Sequence, residues 1–360
     1  MKIQSLHIQN FTVFEDQKFD FCDGINVFIG ANATGKTHAL KALYCTARGV
    51  GHIPRQQTEV IPPDSIASLA DVFRPDDRDV SRLLRHSDRQ KESGEITTKG
   101  KTGGKKWDTT LRIPPSLPTS HGLEMGTPRD ELGRIIFFPP HEMLSAYEGF
   151  SGLWEKREIS YEETYYDICR HLNVPVLREK RLPDLISGLT DILGGSVVEK
   201  NGRFYVKQPS GRLLEAHLLA EGHRKLAMLV RLIANGEIEK DTVLLWDEPE
   251  SGLNPRLITE VAKAIRQLAA AGVQVFVATH DYLLTGELSV LAEYKQKPDV
   301  ATRFFAFSRA SDDPAAPVAV QSGNLLQDLS DNPILKEFVA HYDREERLFA
   351  ASQRKQGAAQ

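Results

Sequence analysis

The first thirty residues contain two short stretches in which apolar and polar residues alternate, Lys2–Ile8 and Gln17–Phe21. A mostly apolar run, Ile25–Ile29, follows them and ends at Gly30. Alternation with a period of two indicates strands with one buried face, and an apolar run that stops at glycine is typical of a buried strand. We therefore predict that the chain opens with strands and that the third of them is buried.

Helices and apolar strands alternate along much of the remaining chain. Helix-forming residues continue from Thr37 to Tyr44, directly after the first buried strand. Fully apolar strands that alternate with helices imply a parallel sheet covered on both faces. The predicted fold class is α/β, with a central, mostly parallel sheet, antiparallel N-terminal strands and an inserted, mainly helical region. The later segments that favour this fold are the strands 134–138, 242–246 and 273–278 and the helices 222–235 and 255–271.

Residues 51–214 interrupt this alternation and are predicted to form an insertion. Their first part is rich in proline, glycine and charge, with a basic loop at 99–106, and their second part favours helices. A hairpin is predicted at 196–207, because Asn-Gly between alternating residues is a strong hairpin signal. The predicted division of the chain is 1–50 and 215–310 for the core, 51–214 for the insertion and 311–360 for a C-terminal helical segment.

Composition excludes several classes of protein. With 360 residues, 41% of them hydrophobic and 26% charged, the chain has an ordinary globular composition with material for a large core. Its formal net charge of −4 argues against extensive nucleic-acid contact, but allows a local basic patch. Three cysteines without a CxxC pair argue against disulfide scaffolding and structural zinc. No signal peptide and no run of roughly 18 apolar residues are present, so we expect a cytoplasmic protein without a membrane partner.

Residues 30–37, GANATGKT, match the phosphate-binding pattern G-x-x-x-x-G-K-[ST] at every position. Backbone N–H groups of such a loop, together with the positive end of the following helix, bind phosphates. Lys36 would supply charge to the β- and γ-phosphates, and the Thr37 hydroxyl would be a ligand of Mg²⁺. The pattern therefore predicts ATP and Mg²⁺ as cofactors. The residues expected to contact the nucleotide are Gly30, Asn32, Ala33, Thr34, Gly35, Lys36 and Thr37.

The apolar strand at 243–246 ends in two acids, Asp247 and Glu248. Ligands collect at the carboxyl ends of parallel strands, so both acids are expected to face the phosphate loop. Asp247 is predicted to hold Mg²⁺ together with Thr37, and Glu248 to act as the base for the attacking water or to orient it. The alternative is that the acids merely cap the next helix, since acids favour helix N-termini.

His280 follows another buried strand, 275–279, in the same manner. A histidine at this edge of the sheet would hydrogen-bond the γ-phosphate or the attacking water, so we predict that it is a second catalytic residue. The alternative is a histidine with a purely structural role.

These three elements, in this order, resemble the ABC-type ATPase superfamily. A fourth segment, Leu219–Lys225, lies before a predicted helix, where the superfamily carries its LSGGQ-like signature. The resemblance implies that this segment contacts the γ-phosphate of ATP held by a second subunit, in a head-to-tail homodimer or higher oligomer. The residues that would make this contact are Ala220, Glu221 and Gly222. Ala220 replaces the serine usual in the superfamily, which weakens the expected contact.

The run Asp247–Pro255 resembles a subgroup that includes the OLD-type nucleases, the RecF and SMC ATPases and the small AAA-type ATPases of bacterial anti-phage systems. The superfamily places a Q-loop near residues 138–142. By this resemblance Glu142 is assigned a role near the metal, although the segment contains no glutamine.

The resemblance implies an ATP-hydrolysing subunit of a multi-protein complex, in anti-phage defence, that regulates or powers a separate nuclease or toxin. Fewer than eighty residues follow Asp281 and they contain no clustered acids, so the effector is expected to be another protein. A second hypothesis is a stand-alone ATPase of DNA repair or DNA-end binding. The missing signature serine and Q-loop glutamine argue against a third, the ATPase of a membrane transporter. The residues that would bind the DNA backbone are Lys99, Lys101, Lys105 and Lys106.

Overall fold

The computed structural model describes residues 1–48, 64–85, 92–115, 134–179, 182–309, 311, 313 and 316–357. Within these ranges the strands are β1 (Lys2–Phe11), β2 (Phe14–Asp20), β3 (Ile25–Gly30), β4 (Gly94–Thr102), β5 (Lys105–Ile113), β6 (Ile135–Phe138), β7 (Ser196–Lys200), β8 (Arg203–Lys207), β9 (Leu213–Glu215), β10 (Val243–Asp247), β11 (Gln274–Thr279), β12 (Thr302–Arg309) and β13 (Val318–Gly323). The α-helices are α1 (Lys36–Arg48), α2 (Asp64–Phe73), α3 (Phe150–Glu155), α4 (Glu163–Asn173), α5 (Pro183–Leu193), α6 (Glu221–Ala234), α7 (Pro255–Ala270), α8 (Tyr282–Glu293) and α9 (Pro333–Gly357).

A six-stranded sheet in the order β13-β12-β3-β11-β10-β6 forms the centre of the fold. Its neighbouring strands are parallel, except for the antiparallel pair β12 and β13. Strands β3, β6, β10 and β11 are buried at every position. This is why their sequences are apolar runs rather than alternating patterns. The predicted α/β fold with a central, mostly parallel sheet is confirmed.

Two hydrophobic clusters cover the two faces of the central sheet. Val27 and Ile29 of β3 lie in one cluster, with helices α4, α6 and α7. Phe28 lies in the other, with α1 and strands β1 and β2. Successive side chains of one strand thus enter different layers, as the pleat of a strand requires. The sheet is therefore held between two apolar layers, and polar side chains gather beyond the carboxyl ends of its strands.

A four-stranded antiparallel sheet, in the order β2-β1-β4-β5, lies beside α1. The structure differs here from the predicted basic loop at 99–106, because this segment forms the end of β4, the turn Gly103-Gly104 and the start of β5. Alternate positions, including Ile96 and Trp107, are buried. The period of two explains the difference, since it places the intervening lysines on exposed positions of real strands.

The described parts of 51–214 are less helical than predicted. Strand β4 pairs with β1 and β5 pairs with β4, and β6 belongs to the central sheet. Helices α2 to α5 and a small sheet, β7-β8-β9, make up most of the remainder. At 196–207 the structure has the hairpin β7-β8, turning at Asn201-Gly202, where both residues have positive φ. The predicted boundary between residues 50 and 51 lies outside the described residues.

The C-terminal segment differs from the all-helical prediction for 311–360. It includes β13, which pairs antiparallel with β12, before α9 begins. The side chains of α9 are exposed from Leu335 to Ser352. Among the described residues, no helix combines the length and the apolarity that crossing a membrane requires.

Candidate nucleotide site

The phosphate loop joins the buried strand β3 to helix α1 and is closely packed at both of its glycines. A Cβ on Gly35 would lie 2.4 Å from Cγ2 of Val13, and Gly35 has φ of +92°. A Cβ on Gly30 would lie 2.6 Å from the carbonyl oxygen of Phe307. Both positions therefore exclude any larger residue, and the Gly35 backbone conformation is one that favours glycine. The strand-loop-helix context that the sequence predicted is present.

The Lys36 ammonium lies inside the loop. Its Nζ donates hydrogen bonds of 2.8 Å to the carbonyl oxygens of Gly30 and Ala31, and the residue is only 8% exposed. Burial lowers the pKa of Lys36, and the negative charges of Asp247 and Glu248 oppose this change. The hydroxyl of Thr34 also donates to Ala31, at 2.8 Å. The lysine charge is thus held at the centre of the loop, where phosphates would bind.

Asn32 and Ala33 form the exposed outer edge of the loop. Ala33 has φ of +60°, and its carbonyl accepts a hydrogen bond of 2.7 Å from Arg309 at the end of β12. Arg309 therefore ties the loop to the neighbouring strand. This contact could not be predicted from the sequence, because no pattern of residues near Arg309 indicates it.

Thr37 and Asp247 meet at the edge of the sheet. The Thr37 hydroxyl lies 3.0 and 2.9 Å from the two carboxylate oxygens of Asp247, although 210 positions separate the residues. Burial raises the pKa of Asp247 to about 7. A hydroxyl and a buried carboxylate, next to a phosphate site, are the kind of oxygen donors that Mg²⁺ takes from proteins. These two residues therefore fit the metal role expected of them.

Glu248 occupies a strained turn immediately after β10. Its φ is +46°, a conformation rare for residues other than glycine, and such strain is often found at functional sites. Two contacts hold its backbone, since its N–H donates to Ala278 at 2.9 Å and its carbonyl accepts from Nζ of Lys225 at 2.8 Å. The Glu248 side chain is about one-third exposed. The carboxylate is thus accessible while its backbone is fixed.

His280 lies beside Glu248 at the end of the next strand. Its Nδ1 is 3.6 Å from Oε1 of Glu248 and also 3.6 Å from Oε1 of Glu250. The structure thus brings together Lys36, Thr37, Asp247, Glu248 and His280, as expected if all five serve one site. Glu250 is a further member that sequence analysis did not select.

A cavity of about 430 Å³ opens beside Thr37, Asp247 and Glu248. Helix α1 lines it with Lys41, and the segment before α4 lines it with Glu162, which forms an ion pair with Lys41. Sequence analysis missed both residues. Lys41 lies one helical turn after Thr37, which was the available signal, whereas Glu162 is brought in only by the tertiary fold.

Glu142 makes contacts other than those proposed for a residue at the metal. Its carboxylate accepts a hydrogen bond of 2.5 Å from Nε of Arg224 and bonds from the backbone and hydroxyl of Ser145. Arg224 belongs to α6, so Glu142 connects the Q-loop region to the signature segment. Its role near the metal stays a prediction.

The signature segment packs against the loop that follows Glu250. Ala220 is the exposed N-cap of α6, and no side chain caps that end. Gly222 has no room for a larger side chain, because a Cβ there would lie 2.5 Å from Cδ2 of Leu253. Glu221 approaches Gly252 in the same loop. Within this one chain, the three residues lie at the start of α6, where backbone N–H groups and the helix dipole favour an anion.

The four lysines proposed for DNA lie on the antiparallel sheet, away from the residues above. Lys99, Lys105 and Lys106 are exposed, and Lys101 forms an ion pair of 2.9 Å with Asp23. Lys101 is opposite Lys106 in the β4-β5 register, so their charges lie on one face of the sheet.

A family model described as "AAA domain, putative AbiEii toxin, Type IV TA system" matches residues 25–286, well over half of the chain. The chain belongs to this family. The matched range contains β3, the phosphate loop, the two acids after β10 and His280.

Curated relatives of this family member match only a short segment. RecF, the DNA replication and repair protein, from Macrococcus caseolyticus is 38% identical over 61 residues, which are 17% of this chain and 16% of RecF. RecF from Lactococcus lactis subsp. cremoris is also 38% identical over 61 residues, or 17% of each protein. The chain thus aligns with less than a fifth of the length of these relatives.

Solved structures match nearly the whole chain. The SMC head domain from Thermotoga maritima superposes with a TM-score of 0.50 and 14% identity, covering 89% of this chain and 98% of the head. An SMC head bound to the C-terminal winged-helix domain of ScpA superposes with a TM-score of 0.56 and 15% identity. This match covers 91% of this chain and 99% of that head. At such identities the similarity shows the fold. Together with the family match and the RecF segment, it supports an ABC-type P-loop ATPase that is similar to the SMC and RecF proteins.

Proposed function

We propose that this protein binds ATP with Mg²⁺ and hydrolyses it to ADP and phosphate. The observation that carries the proposal is the contact between Thr37 and Asp247, which joins the phosphate loop to the strand that ends just before Glu248. Two sequence motifs that lie far apart in the chain thereby form one site. Their chemistry, a lysine-bearing phosphate loop and adjacent carboxylates, is that of nucleoside triphosphate hydrolysis.

Each residue has a distinct task in this proposal. Lys36 binds the β- and γ-phosphates, exchanging its bonds to loop carbonyls for stronger bonds to anionic oxygens. Thr37 and Asp247 hold Mg²⁺, which neutralises phosphate charge when it is bound. Glu248 accepts a proton from the attacking water as the bond between the water oxygen and the γ-phosphorus forms. The bond from that phosphorus to the bridging oxygen of the β-phosphate breaks, and ADP leaves. His280 lies close enough to Glu248 to orient the same water or a γ-phosphate oxygen.

The test compares Glu248→Gln with the parent protein and with Glu260→Gln, a control in an ion pair on the outer side of α7. Glu248→Gln should retain ATP binding and lose hydrolysis by about 10²- to 10⁴-fold, because only the base is removed. Lys36→Ala should lose binding itself. Calorimetry measures binding and phosphate release measures turnover. Equal turnover by Glu248→Gln and the parent would refute the role of Glu248.

We further propose that the ATPase is a subunit of a complex with a separate effector, in bacterial anti-phage defence. The toxin-antitoxin wording of the family description supports a defence role. The signature segment, which is exposed at Ala220, supports assembly into a homodimer or higher oligomer around ATP. Co-expression with proteins encoded beside it, followed by purification in ATP, tests the effector; failure of every neighbouring product to associate would contradict it.

A second candidate function is that of a DNA-binding ATPase, favoured by the RecF match and by the basic face of the β4-β5 hairpin. Replacing the four lysines by glutamate should abolish salt-dependent DNA binding, since lysine–phosphate contacts supply non-specific affinity. Lys200→Glu with Lys207→Glu, on the exposed face of another hairpin, is the control. Fluorescence anisotropy at several salt concentrations measures both; unchanged affinity in the fourfold variant would exclude this surface. The residues changed are Lys99, Lys101, Lys105 and Lys106.

A further inference from the structure

Glu250 is a buried acid that the proposed reaction does not use. It lies two positions after Glu248, its side chain is 6% exposed, and its Oε2 has no hydrogen-bond partner among the described residues. An acid that is buried and only half satisfied is costly and calls for an explanation. The residues around Glu250 offer an explanation, because they include the ring and the backbone of His280.

One oxygen of Glu250 makes contacts with two consecutive residues. Oε1 accepts a hydrogen bond of 2.6 Å from the Thr279 hydroxyl and one of 3.2 Å from the backbone N–H of His280. The same oxygen is 3.6 Å from Nδ1 of the His280 ring. The carboxylate therefore fixes the end of β11 at the point where the chain leaves the sheet and presents His280.

The ring of His280 lies between two carboxylates. Its Nδ1 is equally distant, at 3.6 Å, from Oε1 of Glu248 and of Glu250. At 3.6 Å neither oxygen is within hydrogen-bond distance of Nδ1, but a negative charge on either carboxylate favours a proton on that nitrogen. The other ring nitrogen is then the one left to meet the nucleotide or the attacking water.

Lys225 supplies a positive charge near these acids. It is fully buried in α6, and its Nζ donates to the carbonyl of Glu248 at 2.8 Å. Burial lowers the pKa of Lys225 to about 8, and the charge of Glu250 is the largest effect that opposes this change. The charge of Glu250 thus stabilises the protonated lysine. Glu250 holds the backbone of His280, and Lys225 holds that of Glu248.

We propose that Glu250 is a positioning residue of the hydrolytic site, which fixes the backbone and ring of His280 beside Glu248. This inference rests on the proposed function, and it adds a residue that acts through His280 rather than on the substrate. Replacing a residue that has only a structural role would lower stability. Replacing a positioning residue instead lowers turnover, specifically through the group that it orients.

Kinetics provide the first test. Glu250→Ala should lower kcat about 10- to 100-fold, the cost of misplacing a catalytic group by about 1 Å, and leave the KM for ATP nearly unchanged. Glu250→Gln keeps an oxygen that accepts from Thr279 and His280, so it should recover part of the loss. Glu260→Gln, the control on α7 whose side chain is one-third exposed, should have the same kcat and KM as the parent.

A double-mutant cycle separates positioning from a general structural effect. In the background of His280→Ala, adding Glu250→Ala should reduce kcat by less than about twofold, because the residue through which Glu250 acts is already gone. If the two losses multiply as independent effects, Glu250 does not act through His280 and the inference is overturned. Thermal unfolding of each variant establishes that folded proteins are compared.

A readout without turnover separates this inference from the proposed function. In nucleotide-free protein labelled with ¹⁵N-histidine, the ring resonances of His280 are assigned by comparison with His280→Ala. Glu250→Ala and Glu250→Gln should both shift these resonances and Glu260→Gln should not. Unchanged resonances would overturn the role of Glu250, even in an active enzyme. An inactive parent would instead overturn the proposed hydrolysis, and shifted resonances would still support the contact.

Discussion

Gly222 lies where the first turn of α6 meets the loop Ser251–Pro255, and the space beside its Cα is too small for a methyl group. A Cβ would meet Cδ2 of Leu253 at 2.5 Å and the carbonyl oxygen of Gly252 at 2.9 Å. A side chain can adjust, but the backbone oxygen cannot move without displacing the loop. The glycine thus maintains the contact between the signature segment and the loop that follows Asp247 and Glu248, the acids proposed for the reaction.

Gly222→Ala should therefore lower the free energy of unfolding by about 1 to 3 kcal/mol, the usual cost of overpacking. Gly286→Ala is the matched control, because Gly286 also lies in a helix but has no atom within 4 Å of its added Cβ. That change should be neutral or stabilise by up to about 1 kcal/mol. Urea unfolding measures both, and a Gly222→Ala protein as stable as Gly286→Ala would contradict the assigned contact.

Residues of the nucleotide site differ in how well sequence can indicate them. Lys36, Thr37 and Asp247 stand in local patterns whose chemistry is interpretable without a structure, and the fold brings them together. Glu162 has no such pattern, because its partner Lys41 is 121 positions away. Lys225 is similar, since a lysine in an amphipathic helix is ordinarily assigned to the exposed face, yet here it is fully buried.

Helices α1 and α4 are joined by a partly buried set of charged and polar groups. Arg48 of α1 pairs with Glu163 at 2.8 Å and with Asp167 at 2.9 Å, and Tyr44 donates to Asp167 at 2.6 Å. Burial raises the pKa of Glu163 to about 7, although the charge of Arg48 opposes this rise. Helix α1, which follows the phosphate loop, is thereby attached to helix α4 of the inserted region. One of the acids that attach it, Glu163, has a pKa raised by burial.

Stability should depend on pH through Glu163. The pKa is about 4.5 in the unfolded chain and about 7 in the folded protein. Between these values the folded state binds more protons, so stability contributed by the protonated acid is lost as pH rises from 4.5 to 7. Glu163→Gln removes this loss. Above pH 7 its free energy of unfolding should exceed that of the parent by about 2 to 3 kcal/mol, and below pH 4.5 the two should be equal.

Denaturant unfolding across this pH range measures the effect, with Glu337→Gln as the control because that acid is 76% exposed. A constant difference between Glu163→Gln and the parent at every pH would show that Glu163 titrates alike in both states. That result would contradict the raised pKa.

The sequence predicts strands most clearly where every position of the strand is buried. The apolar runs of β3, β10 and β11 correspond to central strands, because a strand covered on both faces has no polar side. The pairing of β4 with β1 was not indicated. Its residues Lys99 and Lys101 are charged and its Gly100 is atypical of strands, and only the structure shows that Gly100 makes room for the ring of Trp107.

At the scale of the whole molecule, the phosphate loop precedes α1 and the signature segment begins α6, so they belong to different elements of one chain. If the signature segment completes the site of a second copy, Glu248→Gln with ATP and Mg²⁺ should form a dimer that the nucleotide-free protein does not, because bound ATP then persists at the interface. Light scattering measures the mass. Lys36→Ala in the same background is the control, and it should remain monomeric.

A monomer of Glu248→Gln at saturating ATP would contradict assembly through the signature segment. It would also indicate that Ala220 does not replace the serine usual at this position. Hydrolysis by such a monomer would leave the catalytic roles of Lys36 and Glu248 intact.

The position of β3 in the central sheet also governs how the protein is made. Ile25 pairs with Val275 on one side and with Thr302 on the other, so both neighbours of this early strand are synthesised very late. Pairing between such distant segments slows folding. Apolar strands that are still unpaired during this time associate with other chains. During translation the phosphate loop therefore has no sheet to support it. We expect nascent chains to need chaperone protection until β12 leaves the ribosome, and nucleotide to be bound only by chains completed to that point.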